Sequence, residues 1–136
     1  MILIGKIPKK HSSAIEFYAE KLFTPQKRRH LKLQVQYRKK MNHQGIVIVE
    51  DYNALGVPNH FIIELHLDTE EEMLKTLAHE MIHMLQYAIG ELNEEMTCWR
   101  GRKVNSDVIP YDEQPWEIEA ESKGIKLYEA FIAAKA

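Results

Sequence analysis

Hydrophobic and polar positions along this chain change period several times, and each change marks an element. From about Ser12 to Phe23, Ile15, Tyr18, Ala19 and Leu22 recur on one side of a helix that Pro25 ends. Leu31, Leu33, Val35 and Tyr37 then alternate with Lys32, Gln34, Gln36 and Arg38, the period-2 pattern of a half-buried strand. A continuous apolar run follows from Gly45 to Val49. Alternation returns from His60 to Leu67, with Phe61, Ile63, Leu65 and Leu67 set against Ile62, Glu64 and His66. Between Thr69 and Ile89 the period is helical again. At about 100° per residue, Leu74, Leu77, Ala78, Met81, Ile82, Met84, Leu85 and Ile89 fill one broad arc. Asp68 and Thr69 offer competing N-caps, with Glu71 or Glu72 completing a capping box, and Gly90 supplies a stop. Glu91 to Gln114 has no period. A closing helix opens with Pro115 in its first turn and runs to about Ala134. This order predicts an α+β domain: a small mixed sheet, an N-terminal helix and two later helices.

The arc of the 69–89 helix left free of apolar residues carries His79, Glu80, His83, Gln86 and Tyr87. His79-Glu80-Met81-Ile82-His83 reads HExxH. Histidines four apart stand one turn apart on one side of a helix, so both imidazoles can reach a single ion, and the glutamate between them can polarise a water on that ion. With 7 His in 136 residues, composition alone would produce the pattern in about 4 % of such chains. Its setting strengthens it, because the chemical residues share one side, away from the core stripe. The chemistry indicated is that of a zinc hydrolase, with His79 and His83 as ligands and Glu80 as general base.

Composition narrows the remaining possibilities. The length of 136 residues suits one domain spanning 1–136, and a net charge of −2 gives no global attraction to nucleic acid. Cys98 is the lone cysteine, which rules out an internal disulfide and a zinc site built from several thiolates. The apolar run at the N-terminus is too short for a signal peptide and no segment is long enough to span a bilayer, so a cytoplasmic protein is expected.

A catalytic zinc takes three protein ligands and keeps one position open. The third is sought among the other histidines, Cys98 and the downstream acids. Pro115-Trp116-Glu117-Ile118-Glu119-Ala120-Glu121 holds three glutamates that helical phase separates. An apolar stripe runs through Trp116, Ala120, Gly124, Leu127, Tyr128 and Phe131. Glu117 and Glu121 border it one turn apart, whereas Glu119 falls with Ser122, Lys126 and Glu129 on the expected solvent face. Ala120 and Gly124 are small enough to let this helix approach the HExxH helix. Glu117 is the expected third ligand, and Glu121 suits a group that accepts a hydrogen bond from a ligand imidazole. The bland alternative leaves all three glutamates solvated.

HExxH, a ligand glutamate on a following helix and an acid four positions later resemble the gluzincin zinc metallopeptidases. The size and the PWEIEAE stretch are similar to the mini-gluzincins and to short phage- or archaea-type metallopeptidases. The Glu117–Ala120 piece is more distantly similar to ImmA/IrrE-type peptidases. SprT-like proteases share the layout but use a histidine as third ligand, and no histidine follows His83. The resemblance covers roughly the second half of the chain. It implies a zincin-like fold, a Zn²⁺ cofactor and a peptide or protein substrate. It also implies that the strand before the HExxH helix is an edge strand, so that Ile62 to His66 would pair with extended substrate.

Other residues carry weaker signals. Tyr111, just before the ligand helix, is the candidate donor for the oxyanion, against the commoner role of a surface or packing tyrosine. His60 and His66, each alone, read more readily as satisfied or exposed histidines. Lys27, Arg28, Arg29, His30, Lys32, Arg38, Lys39 and Lys40 form a basic cluster that could hold nucleic acid, but a solvated strand face accounts for it as well. Trp99 either walls a substrate pocket or anchors the irregular loop. The rival to a metallopeptidase is therefore a zinc-bound regulatory or nucleic-acid-associated protein with little turnover.

Overall fold

The computed structural model describes residues 1–135. Four strands make the main sheet: β1 (Ile2–Ile4), β2 (Lys32–Arg38), β3 (Gly45–Tyr52) and β4 (Pro58–His66). Their spatial order is β1-β2-β4-β3. β1, β2 and β4 run parallel and β3 antiparallel to β4, so the sheet is mixed. The three-residue β1 is too short for its sequence to announce it. The helices are α1 (Lys9–Leu22), the short α2 (Pro25–Arg29), α3 (Glu70–Ala88) and α4 (Pro115–Lys135).

Alternation along the strands decides which sheet face is covered. Leu33, Val35, Phe61, Ile63 and Leu65 are buried with Ile15 and Tyr18 of α1 and with Leu74, Leu77 and Met81 of α3. The opposite face keeps Lys32 and Arg38 exposed, and Arg38 bonds Glu64 on the neighbouring strand at 2.8 Å. The apolar arc of α3 is buried from Leu74 to Met84, while Leu67 and Ile89, expected in the core, are exposed beyond it. Thr69 is the N-cap of α3, its hydroxyl accepting the amide of Glu72 at 3.3 Å.

One expectation about placement is corrected. Ile62–His66 is not an edge. β4 is hydrogen-bonded on both sides, to β2 and β3, because the 45–66 hairpin inserts its second strand beside β2. The sheet edge nearest α3 is β3. The basic residues lie around β2 as the strand pattern places them: Lys27 to His30 precede it, Lys32 and Arg38 are on it, and Lys39 and Lys40 follow it. The 91–114 stretch is not wholly irregular. It carries a small hairpin, β5 (Cys98–Trp99) with β6 (Arg102–Lys103), and a 3₁₀ turn at Tyr111–Glu113.

Candidate metal centre

Helices α3 and α4 pack across each other, with α4 closest where it has no side chain. A β-carbon at Gly124 would stand 3.1 Å from the Cα of His79. Above this contact, His79 and His83 project from successive turns of α3, their rings 5.0 Å apart between centroids. Glu117 comes from the first turn of α4. Its Oε1 lies 3.2 Å from His79 Nε2 and 3.0 Å from His83 Nε2. The three ligand atoms all lie within 4.8 Å of one another. Tetrahedral ligands at 2.0–2.2 Å from zinc stand about 3.3–3.6 Å apart, so the two histidine–carboxylate distances need to open by only a few tenths of an ångström to hold an ion. Two imidazoles and a carboxylate are a donor set that zinc accepts.

The fields of these groups are mutual. Burial works against a charge on Glu117, but hydrogen bonds from His79, His83 and Tyr111 overcome it and hold the carboxyl well below the usual range. Burial likewise opposes a charge on His83, while its bond to Glu117 and the nearby Glu80 carboxylate push its pKa up. Glu80 behaves in the opposite way. Burial raises its carboxyl above the ordinary value, and the adjacent histidines pull only partly back. The side chain is 7 % exposed, and no hydrogen bond to it acts among the described residues.

Glu80 opens into a cleft of about 960 Å³ between α3 and α4, closed along one side by the start of β3. Gly45 makes that closure possible, since a β-carbon there would lie 2.7 Å from Thr76 Cγ2 and 3.1 Å from Glu80 Cγ. His43 and Gln44 extend the same wall. Tyr111, though 65 % exposed, turns its hydroxyl inward and donates to Glu117 Oε1 at 2.8 Å.

The closing helix distributes its three glutamates almost as phase predicts, with one correction. Glu117 faces the histidines. Glu121 lies 3.4 Å from His79 Nδ1, with its side chain still 68 % exposed. Glu119 is not on the solvent face: its side chain is only 14 % exposed and contacts Gln86, Arg100 and Lys123. The 98–103 hairpin folds back over α4 and covers it. Trp99 does not line the cleft; it packs on Trp116 at 6.0 Å between ring centroids and so anchors the hairpin. His60 and His66 lie on β4 away from the histidine–glutamate group. Gln86 was legible only as a member of the polar arc. It is fully buried and receives the Nδ1 side of His83 at 2.7 Å. Its spacing of three from His83 was the available signal.

No family model matches the chain, and neither does any curated protein or solved structure. No helix among the described residues is long and apolar enough to cross a membrane.

Proposed function

We propose that the chain is a zinc-dependent peptidase of gluzincin type, acting in the cytoplasm on a peptide or protein substrate. Glu80 carries this reading: a buried carboxyl without a hydrogen-bond partner among the described residues, opening into a cleft beside two imidazoles and a carboxylate. A purely structural metal site has no use for such a group. A general base whose pKa is raised by burial does.

His79, His83 and Glu117 would hold the ion, which when bound supplies an acidified water and polarises the scissile carbonyl. Glu80 would take a proton from that water as its oxygen bonds the carbonyl carbon, and would deliver the proton to the leaving amine nitrogen as the C–N bond breaks. Tyr111 stands beside Glu117 with its hydroxyl inside the cleft. From there it is the side chain suited to donate to the developing oxyanion. Substrate binds extended along β3, the sheet edge that borders the cleft. The amide of His66 donates to the carbonyl of Gln44, which makes 44–66 a bonded pair. By antiparallel alternation, Gly45 and Val47 then turn their N–H and C=O groups to the open edge.

Metal analysis of the purified protein, followed by digestion of a peptide library with and without chelator, tests the proposal. One zinc per chain and chelator-sensitive cleavage are expected. Glu80→Gln should keep the zinc and lose hydrolysis. Cleavage by that variant at the wild-type rate, or stoichiometric zinc in His79→Ala or His83→Ala, would overturn the assignment.

A further inference from the structure

We infer that Gln86, oriented by Glu119 and Arg100, is the positioning residue that fixes which nitrogen of His83 is free for the metal. The inference rests on the zinc reading above and concerns groups outside the ligand trio.

Its logic runs inward from the surface. Gln86 is wholly buried, so its amide orientation is set by its neighbours alone. One end of the amide lies 3.0 Å from the carbonyl of Trp116 and 3.0 Å from Glu119 Oε1. Both of these are acceptors only, so that end must be the NH₂. The oxygen of Gln86 therefore faces His83 Nδ1 at 2.7 Å, and Nδ1 must carry the proton. With Nδ1–H engaged by Gln86, Nε2, 3.0 Å from Glu117 Oε1, is the nitrogen left to face the ion site. A side chain two removes from the metal thus selects the tautomer that coordination requires.

Glu119 holds this orientation only while it stays turned inward. Gln86 bonds one of its oxygens, and Lys123 and Arg100 meet the other. Arg100 is itself held in place. Its guanidinium pairs with the second oxygen of Glu119, bonds Glu91 at 2.7 Å and lies 4.6 Å from the ring of Trp99. Its backbone sits at φ 50°, in the left-handed region that ordinary side chains avoid. The fold keeps an arginine where glycine would relieve strain, which points to a use for the side chain.

The test is zinc affinity, by chelator competition, together with the ¹H–¹⁵N NMR signal of His83 Nδ1–H in the zinc-loaded protein. The wild type should show a slowly exchanging Nδ1–H. Gln86→Leu should lose that signal and bind zinc about 10- to 100-fold more weakly. Glu119→Ala and Arg100→Gly act outside the core and keep the inference testable if Gln86→Leu folds poorly. Both should accelerate Nδ1–H exchange and weaken zinc several-fold. Arg100→Gly should do so while its backbone strain is relieved, an outcome that a purely structural role does not give. Wild-type zinc affinity and an intact Nδ1–H signal in both surface variants would overturn the inference and leave the zinc assignment standing. A wild-type chain that takes up no zinc would end both.

Discussion

Gly124 of α4 lies against the backbone of His79, and a β-carbon at 124 would meet the His79 nitrogen at 3.2 Å and its Cα at 3.1 Å. His79 is therefore positioned by the absence of a side chain on the helix that carries Glu117. The approach brings the first turn of α4 over α3, so that Glu117 reaches both imidazoles.

Gly124→Ala sets two effects against each other. Helix propensity favours alanine by about 1 kcal/mol. Overpacking against backbone that cannot rotate away costs about 1–3 kcal/mol. We expect net destabilisation of roughly 1 kcal/mol in urea unfolding, with weaker zinc binding because the helices are pushed apart. A variant more stable than wild type, with unchanged zinc affinity, would show that the contact does not position the site.

Much of the site is legible in the sequence because it is local. His79 and His83 need only one turn of helix, and Glu117, Ala120 and Gly124 follow from the phase of a second helix. What escapes is non-local. Strand alternation reads the same for a central strand as for an edge, so nothing in residues 60–67 reveals that β4 inserts between β2 and β3. Helical phase turns Glu119 away from the apolar stripe, but it cannot foresee that Trp99 packs against Trp116 at a tilt and brings Arg100 down over that carboxylate. Gln86 passes for a surface amide until α4 covers it.

The metal-free protein should lose stability as pH rises above about 4.3, through the raised folded pKa values of Glu80 and His83. Burial raises the pKa of Glu80 in the folded state, so above an unfolded value of about 4.3 the native chain holds a proton that the unfolded chain releases. His83, also raised, contributes stability that is complete below about pH 6.5 and is lost as pH rises through its folded pKa. Glu117, lowered, contributes above about pH 4.3 and loses its share only as pH falls through its folded pKa. Glu80→Gln removes the first of these and should melt higher than wild type at about pH 8 without metal, with a flatter pH dependence. A lower melting temperature for the variant would contradict the burial of a charge at Glu80.

The open edge of β3 gives a paired prediction. Val47→Pro removes an N–H that faces the cleft, and proline is tolerated on an edge in that orientation. Stability should change little, while KM for a peptide rises about 2- to 10-fold, the worth of one hydrogen bond. Ile46→Pro instead removes an N–H from the ladder to β4 and should cost about 1–3 kcal/mol of stability. If the two variants exchange these phenotypes, the edge has the other phase. If neither changes KM, substrate does not pair with β3.

Gly45 places that edge over Glu80, the proposed general base. A methyl there would stand 2.7 Å from Thr76 Cγ2 and 3.1 Å from Glu80 Cγ, so either β3 lifts away or Glu80 turns. Gly45→Ala should cost about 1–3 kcal/mol of stability. Hydrolysis should fall at least about tenfold, the effect of roughly 1.4 kcal/mol on the barrier. Zinc should remain, because His79, His83 and Glu117 are untouched. Thr76→Ser deletes the Cγ2 methyl and makes room for the new one. The double variant Gly45→Ala/Thr76→Ser should then recover stability, with a coupling energy of about 0.5–3 kcal/mol between the two sites. Additive losses would mean that the strand does not rest on Thr76. Full activity in Gly45→Ala would mean that the wall over Glu80 has no part in the chemistry.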